Sequence, residues 1–388
     1  MLVRPARTSV RLAAGTLVLA LPLAAAAGCG AAKKRTIKQE LQAAQQHLAD
    51  SSATSITFRL ADGKGNIAKE MTKGGDLTAA GAKEILGGSI TYTFDGKSAS
   101  KITGIDAKAS EGDLKKALAD VHLSIAVKDA KATIAEIRLV DSTLFARIDV
   151  KEIDRVAAEA GEDGFEQSFD DGIDSAPAEY QSALKDVKAG KWLKLPLTSY
   201  LSKIQDSLKD LPTTDASKDD LTKAGKDLFT AVKPYIKVTD ANDDPDHRVL
   251  NVDIDARPAV KAGLAALKKE KGLPVLDALM DVKDSDIDEN LANGKAHGTI
   301  TLADGHLTQV TVDIDSIRKL DPEEADSTTD LAGSDAVLDI DDSAEQVTAP
   351  TTNVSDTDVK ALIDDLFSQF TDSFSSSLGG SMGGTYSG

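Results

Sequence analysis

Cysteine is almost absent from this sequence, since Cys29 is the only one in 388 residues. A single cysteine cannot form an intramolecular disulfide, so a disulfide-stapled fold is excluded. Aromatic residues make up only 4% of the chain. No aromatic-rich sugar platform therefore accompanies the carboxylates that a glycoside hydrolase would need.

Positive charge is also scarce, because 45 Lys and Arg residues face 63 Asp and Glu residues for a formal net charge of −18. Phosphate binding needs clustered Lys and Arg, so we expect no nucleic-acid partner. The acidity also disfavours flat adhesion to anionic lipid head groups. Lys33, Lys34 and Arg35 could still make one local membrane contact.

Residues for catalysis or metal binding are few. None of the five histidines lies at zinc-ligand spacing, and we find no serine nucleophile elbow. We therefore predict no catalytic residues, no metal and no cofactor, and we expect the protein not to be an enzyme. The histidines are His47, His122, His247, His297 and His306. His297 and His306 either face each other across a hairpin or are two surface residues, and we favour the second interpretation.

Three further patterns have a simpler interpretation. Residues 63–68 match a dinucleotide-binding fingerprint but lack the βαβ pattern that should follow, which favours a turn. Asp284, Asp286 and Asp288 alternate as in a calcium loop. Glu289 and Lys295 stand where an EF-hand needs Gly and Glu, so this pattern favours a solvated loop, with weak calcium binding left open. Two other pairs of Asp residues are spaced two residues apart, which is typical of the solvent-exposed face of a strand. They are Asp253 with Asp255, and Asp313 with Asp315.

The N-terminus has the parts of an export signal. Arg4, Arg7 and Arg11 form a basic region, and an apolar run follows from Leu12 to Ala27. The run is too short and too rich in alanine to predict a membrane-spanning helix. Cys29 follows Ala26, Ala27 and Gly28, which resembles the lipobox of bacterial lipoproteins with Ala26 in place of the favoured Leu.

These features predict a lipoprotein signal peptide over residues 1–28 and a mature chain that begins at an acylated Cys29. Cleavage would leave 360 residues and, with three arginines lost, a charge of about −21. Two or more acyl chains, at about 0.8 kcal/mol per buried methylene, hold a protein stably on a bilayer. We expect lipid anchoring on the extracytoplasmic face of the cell membrane. The alternative is an ordinary secretory signal with a chance cysteine.

The remaining pattern predicts an α+β fold with a curved antiparallel sheet packed against amphipathic helices. Thr36 and Gln39 predict a capping box for a helix over 37–49. Period-two or β-branched segments predict strands at 55–60, 90–94, 100–107, 121–127, 133–140, 143–150, 235–239, 248–255 and 336–340. Asp304-Gly305 predicts the turn of a hairpin over 295–315. Acidic stretches at 161–178, 240–247 and 321–335 are expected to be solvated loops.

The domain prediction follows from these elements. A tether of residues 29–35 precedes a half-barrel over 36–345, which could divide into two subdomains near 190–235. Residues 346–372 form a linker and a C-terminal amphipathic helix, in which Ser355 and Asp358 form a capping box. The apolar stripe of this helix is Val359, Leu362, Ile363, Leu366, Phe367 and Phe370. Residues 373–388 are a flexible Ser/Gly-rich tail.

The order of elements resembles the bacterial LolA and LppX/LprG-type lipoproteins. The residues that carry the resemblance are the lipobox, Lys191–Leu195 and Gly298–Ile314. The resemblance implies a half-barrel that wraps around helices and encloses an apolar cavity for lipid tails. The segments 61–88 and 151–190 and the C-terminal helix are additions to that pattern.

Two functions remain open at this point. The first is a membrane-anchored protein that binds or carries a lipid or other hydrophobic ligand between sheet and helices. The second is a cell-envelope scaffold with an acidic surface, protein partners and no ligand cavity. Both interpretations are compatible with the sequence, because a binary pattern indicates which face is buried and does not distinguish an open cavity from a filled core.

Overall fold

The computed structural model describes residues 36–359, except residues 74, 76, 96–109, 163, 202–217, 243, 245–246, 270–281, 325–328 and 358. Several predictions lie outside the described residues and stay predictions: the signal peptide, Cys29, the tether, the strand at 100–107 and nearly all of the C-terminal helix. Among the described helices, none is both long enough and apolar enough to span a bilayer.

The described strands form one antiparallel sheet with the order β6-β5-β4-β3-β2-β1-β11-β10-β9-β8-β7. They are β1 Ala53–Asp62, β2 Ser89–Asp95, β3 Leu123–Lys128, β4 Thr133–Val140, β5 Thr143–Ile148, β6 Leu193–Pro196, β7 Ile236–Asp240, β8 His247–Asp255, β9 Lys295–Ala303, β10 His306–Asp313 and β11 Ser334–Asp341. The sheet is curved and does not close, so the predicted α+β half-barrel is confirmed.

Helices connect many of these strands. They are α1 Ile37–Asp50, α2 Asn66–Thr72, α3 Ala79–Gly87, α4 Glu111–Leu118, α5 Val150–Ala160, α6 Phe165–Ser175, α7 Ala178–Lys188, α8 Lys218–Val232, α9 Ala256–Leu267, α10 Asp284–Asn290 and α11 Ile314–Arg318. Helix α1 begins at the predicted capping box, where the Gln39 amide donates to Thr36 Oγ1 at 3.3 Å and the Thr36 amide donates to Gln39 Oε1 at 3.0 Å.

The sheet consists of two consecutive meanders joined in the middle. Strands β1–β6 form the first half-sheet, strands β7–β11 form the second, and β1 pairs with β11 between them. The chain passes from β6 at one edge of the sheet to β7 at the other. The hairpin β9–β10 turns at Asp304 and Gly305, which both have positive φ, as a tight two-residue turn requires.

Side chains alternate between an apolar inner face and a polar outer face. We define the inner face as the one on which α1 and α9 pack. The register places Phe58, Ile90, Val127 and Ala135 side by side on it. On the outer face, hydroxyl pairs and ion pairs join the strands, such as Thr299 Oγ1 with Thr311 Oγ1 at 2.7 Å and Arg59 Nε with Asp339 Oδ2 at 2.6 Å. One face of the sheet is therefore built to contact apolar groups.

The main hydrophobic core covers the inner face of the second half-sheet. It combines Leu41 and Ala44 of α1 with Ala259 and Val260 of α9. The strands contribute a second set of buried residues: Leu250, Val252, Ile254, Ile300, Leu302, Val310, Val312 and Ile340. This half of the barrel is filled with protein side chains.

After β11 the chain crosses the outer face of the first half-sheet, and we call residues 342–359 the strap. Val347 of the strap packs with Phe145 and Trp192. The guanidinium groups of Arg138 and Arg147 each lie 4.9 Å from the centre of the Trp192 ring. The Trp192 amide donates to the Asn353 carbonyl at 2.8 Å. These contacts hold the strap against the edge strand β6.

Three sequence predictions on acidic segments were wrong. The stretch 161–178 contains α6, which packs beside α5 and α7. Asp284 and Asp286 lie in the first turn of α10, where carboxylates interact favourably with the helix dipole, so this segment is a helix and not a loop. Asp315 does not lie on the wet face of a strand. It is buried in α11, where Arg318 and Lys319 bind its carboxylate at 2.8 and 2.5 Å.

Candidate functional site

The inner face of the first half-sheet is as apolar as that of the second, yet it is not covered to the same extent. Tyr92, Val127 and Ile137 are 41%, 37% and 44% exposed. In the second half-sheet, Ile300 and Val310 on the same face are 2% and 5% exposed. The candidate site is therefore the inner face of β1–β5.

The apolar surface is continuous across five strands. All of its side chains are half-buried or exposed: Ile56, Phe58, Leu60, Ile90, Tyr92, Phe94, Leu123, Ile125, Val127, Ala135, Ile137, Leu139, Leu144, Ala146 and Ile148. The buried residues of these strands include Ser124, Glu136 and Phe145, which the register places on the outer face. The strap thus covers the outer side, while on the inner side the described residues leave Tyr92, Val127 and Ile137 exposed and the other apolar side chains half-buried.

A pocket of about 290 Å³ lies at one end of this surface. The strands form its floor, and α3 and α5 form one wall. Its apolar lining includes Phe58, Leu60, Ile85, Ile90, Val127 and Val156. Ile85 is itself 47% exposed, so the wall is open toward the rest of the inner face.

Helix α3 is held in place by its cap and by a close helix contact. The Gly81 amide donates to Thr78 Oγ1 at 3.0 Å, and Thr78 Oγ1 donates to the Glu159 carbonyl of α5. A Cβ atom at Gly81 would lie 2.5 Å from Ala160 Cα. Glycine is therefore required for α3 to lie this close to α5, and the pocket wall is built on that contact.

A charged network closes the wall behind the pocket. Arg155 of α5 binds Glu152 at 2.6 Å and Glu159 at 2.7 Å, and it also contacts Asp129 and Glu84. Asp129 and Glu84 are both buried. A buried carboxylate is tolerated only when it is paired, and Arg155 supplies a partner for both.

The pairing in this network shifts the pKa values of Asp129 and Arg155. Burial acts to raise the pKa of Asp129, but hydrogen bonds from the Ala132 and Lys131 amides, together with the Arg155 charge, hold it below its ordinary value of 3.8. The pKa of Arg155 is raised, since the carboxylates around it outweigh its desolvation. The network therefore holds the wall of the pocket in place.

The histidines considered from the sequence do not form one site. His297 binds Asp253 at 2.7 Å, whereas His306 binds Asp342 at 2.6 Å and stacks on His47 with ring centres 4.2 Å apart. The interpretation of His297 and His306 as separate polar residues is thus confirmed. Within the described ranges, no group of three or more His, Cys, Asp or Glu side chains could hold a metal ion.

In the glycine-rich segment 63–68, residues 63–65 form a turn and residues 66–68 are the first residues of α2. The Asp62 carboxylate occupies the start of that helix, where it accepts the Asn66 amide at 2.7 Å and the Ala68 amide at 2.9 Å. A phosphate would have to displace this carboxylate. The interpretation as a turn is confirmed for residues 63–65 and wrong for residues 66–68. Asp288 is also paired, because Lys261 Nζ lies 2.7 Å from its carboxylate.

The open inner face was not identifiable from the sequence. Alternation in β2–β4 indicated which residues share a face, but the same alternation occurs in β8–β10, where helices cover that face. The helices α3 and α5, which pack at one end of the face, come from the segments 61–88 and 150–160, and their alternation-free sequences do not indicate where on the sheet they pack. Cys29, the one site residue predicted from sequence, lies outside the described residues.

The chain was compared with protein-family models, curated proteins and solved structures. No protein-family model matches the chain, and no curated protein matches it. Among solved structures the chain is similar to lipoprotein LppX of Mycobacterium tuberculosis, with 7% sequence identity and a TM-score of 0.26. The alignment covers 80% of this chain and 95% of LppX. This likeness concerns the fold, so the function proposed below depends on the geometry of the first half-sheet.

Proposed function

We propose that this protein is a non-enzymatic lipoprotein, anchored through Cys29 on the extracytoplasmic face of the cell membrane, that binds a lipid or another amphiphile on the inner face of β1–β5. The observation that carries the proposal is the continuous apolar surface that ends in the 290 Å³ pocket. Contiguous exposed apolar surface of this kind is typical of binding sites for ligands, membranes or proteins.

The size of the pocket favours an extended ligand. Pockets that enclose a small molecule usually have volumes of roughly 300–1,000 Å³, so this one is at the lower limit. The end of a hydrocarbon chain can fill it, while the rest of the chain lies along the apolar strand residues. Burial of about ten methylenes would contribute roughly 8 kcal/mol before the costs of association.

The experiment uses residues 30–388, which lack the anchor cysteine, purified without detergent. We expect organic extraction followed by mass spectrometry to detect a co-purified amphiphile. We also expect the fluorescent fatty acid cis-parinaric acid to bind the delipidated protein. Ile137→Lys should weaken that binding at least tenfold, because it places a charge on the apolar face.

Asn251→Lys is the matched control, since Asn251 is an exposed residue on the outer face of the second half-sheet. It adds the same charge and should leave binding unchanged. A protein that arrives empty and binds no fatty-acid probe would overturn the proposal. That result would favour an envelope scaffold whose acidic surface contacts other proteins.

The anchor is tested separately in cells. Cys29→Ala should abolish incorporation of an alkyne-labelled fatty acid and leave the chain either unprocessed or released. Cys29→Ala that still incorporates the label would show that the acyl chains are attached elsewhere. This outcome would leave the ligand-binding proposal intact, because the anchor and the inner face are separate parts of the chain.

A further inference from the structure

The geometry points to residues 360–372 of this same chain as an occupant of the open inner face, where they would compete with the ligand. This inference rests on the proposed function for the identity of the competitor. The docking of residues 360–372 on the sheet does not depend on whether the protein binds a lipid. Three features of the chain support the docking: where the described residues end, how long the remaining segment is, and which side chains it carries.

The strap brings the chain to the correct side of the sheet. Val347 packs on the outer face beside Phe145 and Trp192. At the other end of the strap, Val359 is 3% exposed and packs with Leu195 and Tyr200. Leu195 pairs with Leu144 of β5, and both lie on the inner face. The chain therefore passes around the β6 edge and is directed to the inner face, beside the open surface.

The length of the segment matches the width of that surface. Strands β1–β5 are separated by four spacings of about 4.8 Å, which gives roughly 19 Å. The sequence predicts a helix from about residue 359 to 372, and 13 residues at 1.5 Å each extend about 20 Å. Val359 packs at β6, one strand outside this surface, so a helix of this length that starts there extends across β5, β4 and β3 to about β2.

The side chains of the segment are complementary to the surface. Leu362, Leu366 and Phe367 belong to one predicted helical stripe. The opposing surface exposes Tyr92 and Ile137. Asp364 and Asp365 fall outside the stripe and can remain in water. Docking would remove apolar surface from water on both sides, which favours this occupant over solvent.

The direct test is photo-crosslinking in residues 30–388, with p-benzoylphenylalanine placed at position 137. We expect a crosslink to a peptide within residues 360–372, identified by mass spectrometry. The same probe at position 251, on the outer face of the second half-sheet, should give no such crosslink. The absence of this crosslink at position 137, or a crosslink only to a second copy or to another protein, would overturn the inference.

The functional consequence is tested by a chain that ends at Val359. If the docked form accounts for about 90% of molecules, removal of residues 360–388 should tighten cis-parinaric acid binding about tenfold. Leu366→Asp with Phe367→Asp should have a similar effect. Ser368→Asp with Gln369→Asp adds the same charge outside the stripe and should have little effect.

The two proposals fail in different ways. A crosslink at position 137 without any probe binding by the truncated chain would support docking and overturn ligand binding. Probe binding without the crosslink, and with equal affinity before and after truncation, would support ligand binding and overturn docking.

Discussion

The two half-sheets share one alternation pattern but differ in what covers them. In the second half-sheet, α1 and α9 pack on the inner face, and Leu250 and Ile300 are almost completely buried. In the first half-sheet, the described helices that line the inner face, α3 and α5, lie at one end, and Tyr92 and Ile137 are exposed. The second half-sheet therefore provides the packed core that stabilises the barrel, whereas the first half-sheet presents an apolar surface.

The same comparison explains the position of the strap. The outer face of the first half-sheet is packed by Val347 and by Trp192, which Arg138 and Arg147 flank. These contacts provide this half with buried apolar area on the side that the ligand does not use. Strands β1–β5 can therefore stay folded while their inner face is open.

The largest expected difference between the halves is in core packing. Ile300→Ala should lower the free energy of unfolding by about 3 kcal/mol, because it removes a buried side chain and leaves a cavity. Ile137→Ala, the same substitution at a 44% exposed position, should cost less than about 1 kcal/mol. Chemical denaturation measures both. Equal losses would show that the first half-sheet is as closely packed as the second.

The next effect concerns the wall of the pocket. Arg155→Met should lower the free energy of unfolding, because buried Asp129 and Glu84 lose a charged partner. Lys131→Met is the control, since Lys131 Nζ also binds Glu84, at 3.0 Å, but its side chain is 55% exposed. It should cost less than half as much. A larger loss for Lys131→Met would contradict the assigned role of Arg155.

This network also predicts an acid dependence. The pKa of Asp129 is lowered in the folded state, so its contribution to stability is present above its ordinary value of 3.8 and is lost as pH falls through the folded pKa. The free energy of unfolding of the unmodified protein should therefore decrease below about pH 4. The decrease should be shallower in Arg155→Met, and an identical pH profile would contradict this linkage.

A smaller effect tests how closely the second half-sheet is packed. A Cβ atom at Gly298 would overlap the Thr311 carbonyl oxygen on the neighbouring strand, so Gly298→Ala should cost about 1–2 kcal/mol. Gly225 in α8 has open space around it, and Gly225→Ala should stabilise by about 0.5–1 kcal/mol. Thermal unfolding distinguishes the two. A neutral Gly298→Ala would mean that β9 and β10 can separate locally without cost.

The smallest expected effect on stability is that of replacing His122, the residue directly before β3. His122 lies between Asp141 at 2.9 Å and Asp95 at 2.8 Å, and these carboxylates raise its pKa above 6.5 despite partial burial. Its contribution is present below pH 6.5 and is lost as pH rises through the folded pKa. His122→Gln should cost at most about 1 kcal/mol at pH 5.5 and almost nothing at pH 9. If His122→Gln lowered the free energy of unfolding more at pH 9 than at pH 5.5, the expected direction of the pH dependence would be wrong.

Much of the fold was predictable because its signals are local. The capping box of α1, the Asp304-Gly305 hairpin and the alternation in β8 each depend on neighbouring residues only. The sequence also contains an internal echo, an Ile-Asp pair followed by a helical pattern in two segments, which raises the hypothesis of a duplication. Residues 145–160 and 250–263 are each a strand followed directly by a helix, and each strand is the second from an edge of the sheet. That this reflects duplication stays a prediction.

The candidate site was less predictable because it depends on long-range packing. The acidic residues of α6 and α10 favoured loops, but Ile173 and Ile287 are buried by neighbouring helices and hold these segments in place. Likewise, Tyr92 and Ile137 have the pattern of core residues, and only the placement of distant helices leaves them exposed. The open or filled state of the barrel is therefore a property of the tertiary structure.

The most direct test of the central claim is to map where an amphiphile binds. A fatty acid that carries a terminal diazirine and an alkyne can be photolysed with the delipidated chain of residues 30–388, and labelled peptides can be identified by mass spectrometry. We predict labels within Ser89–Asp95, Leu123–Lys128 and Thr133–Val140, and none within His247–Asp255 or Lys295–Ala303. Labelling of the second half-sheet, or no saturable labelling of the first, would contradict the account.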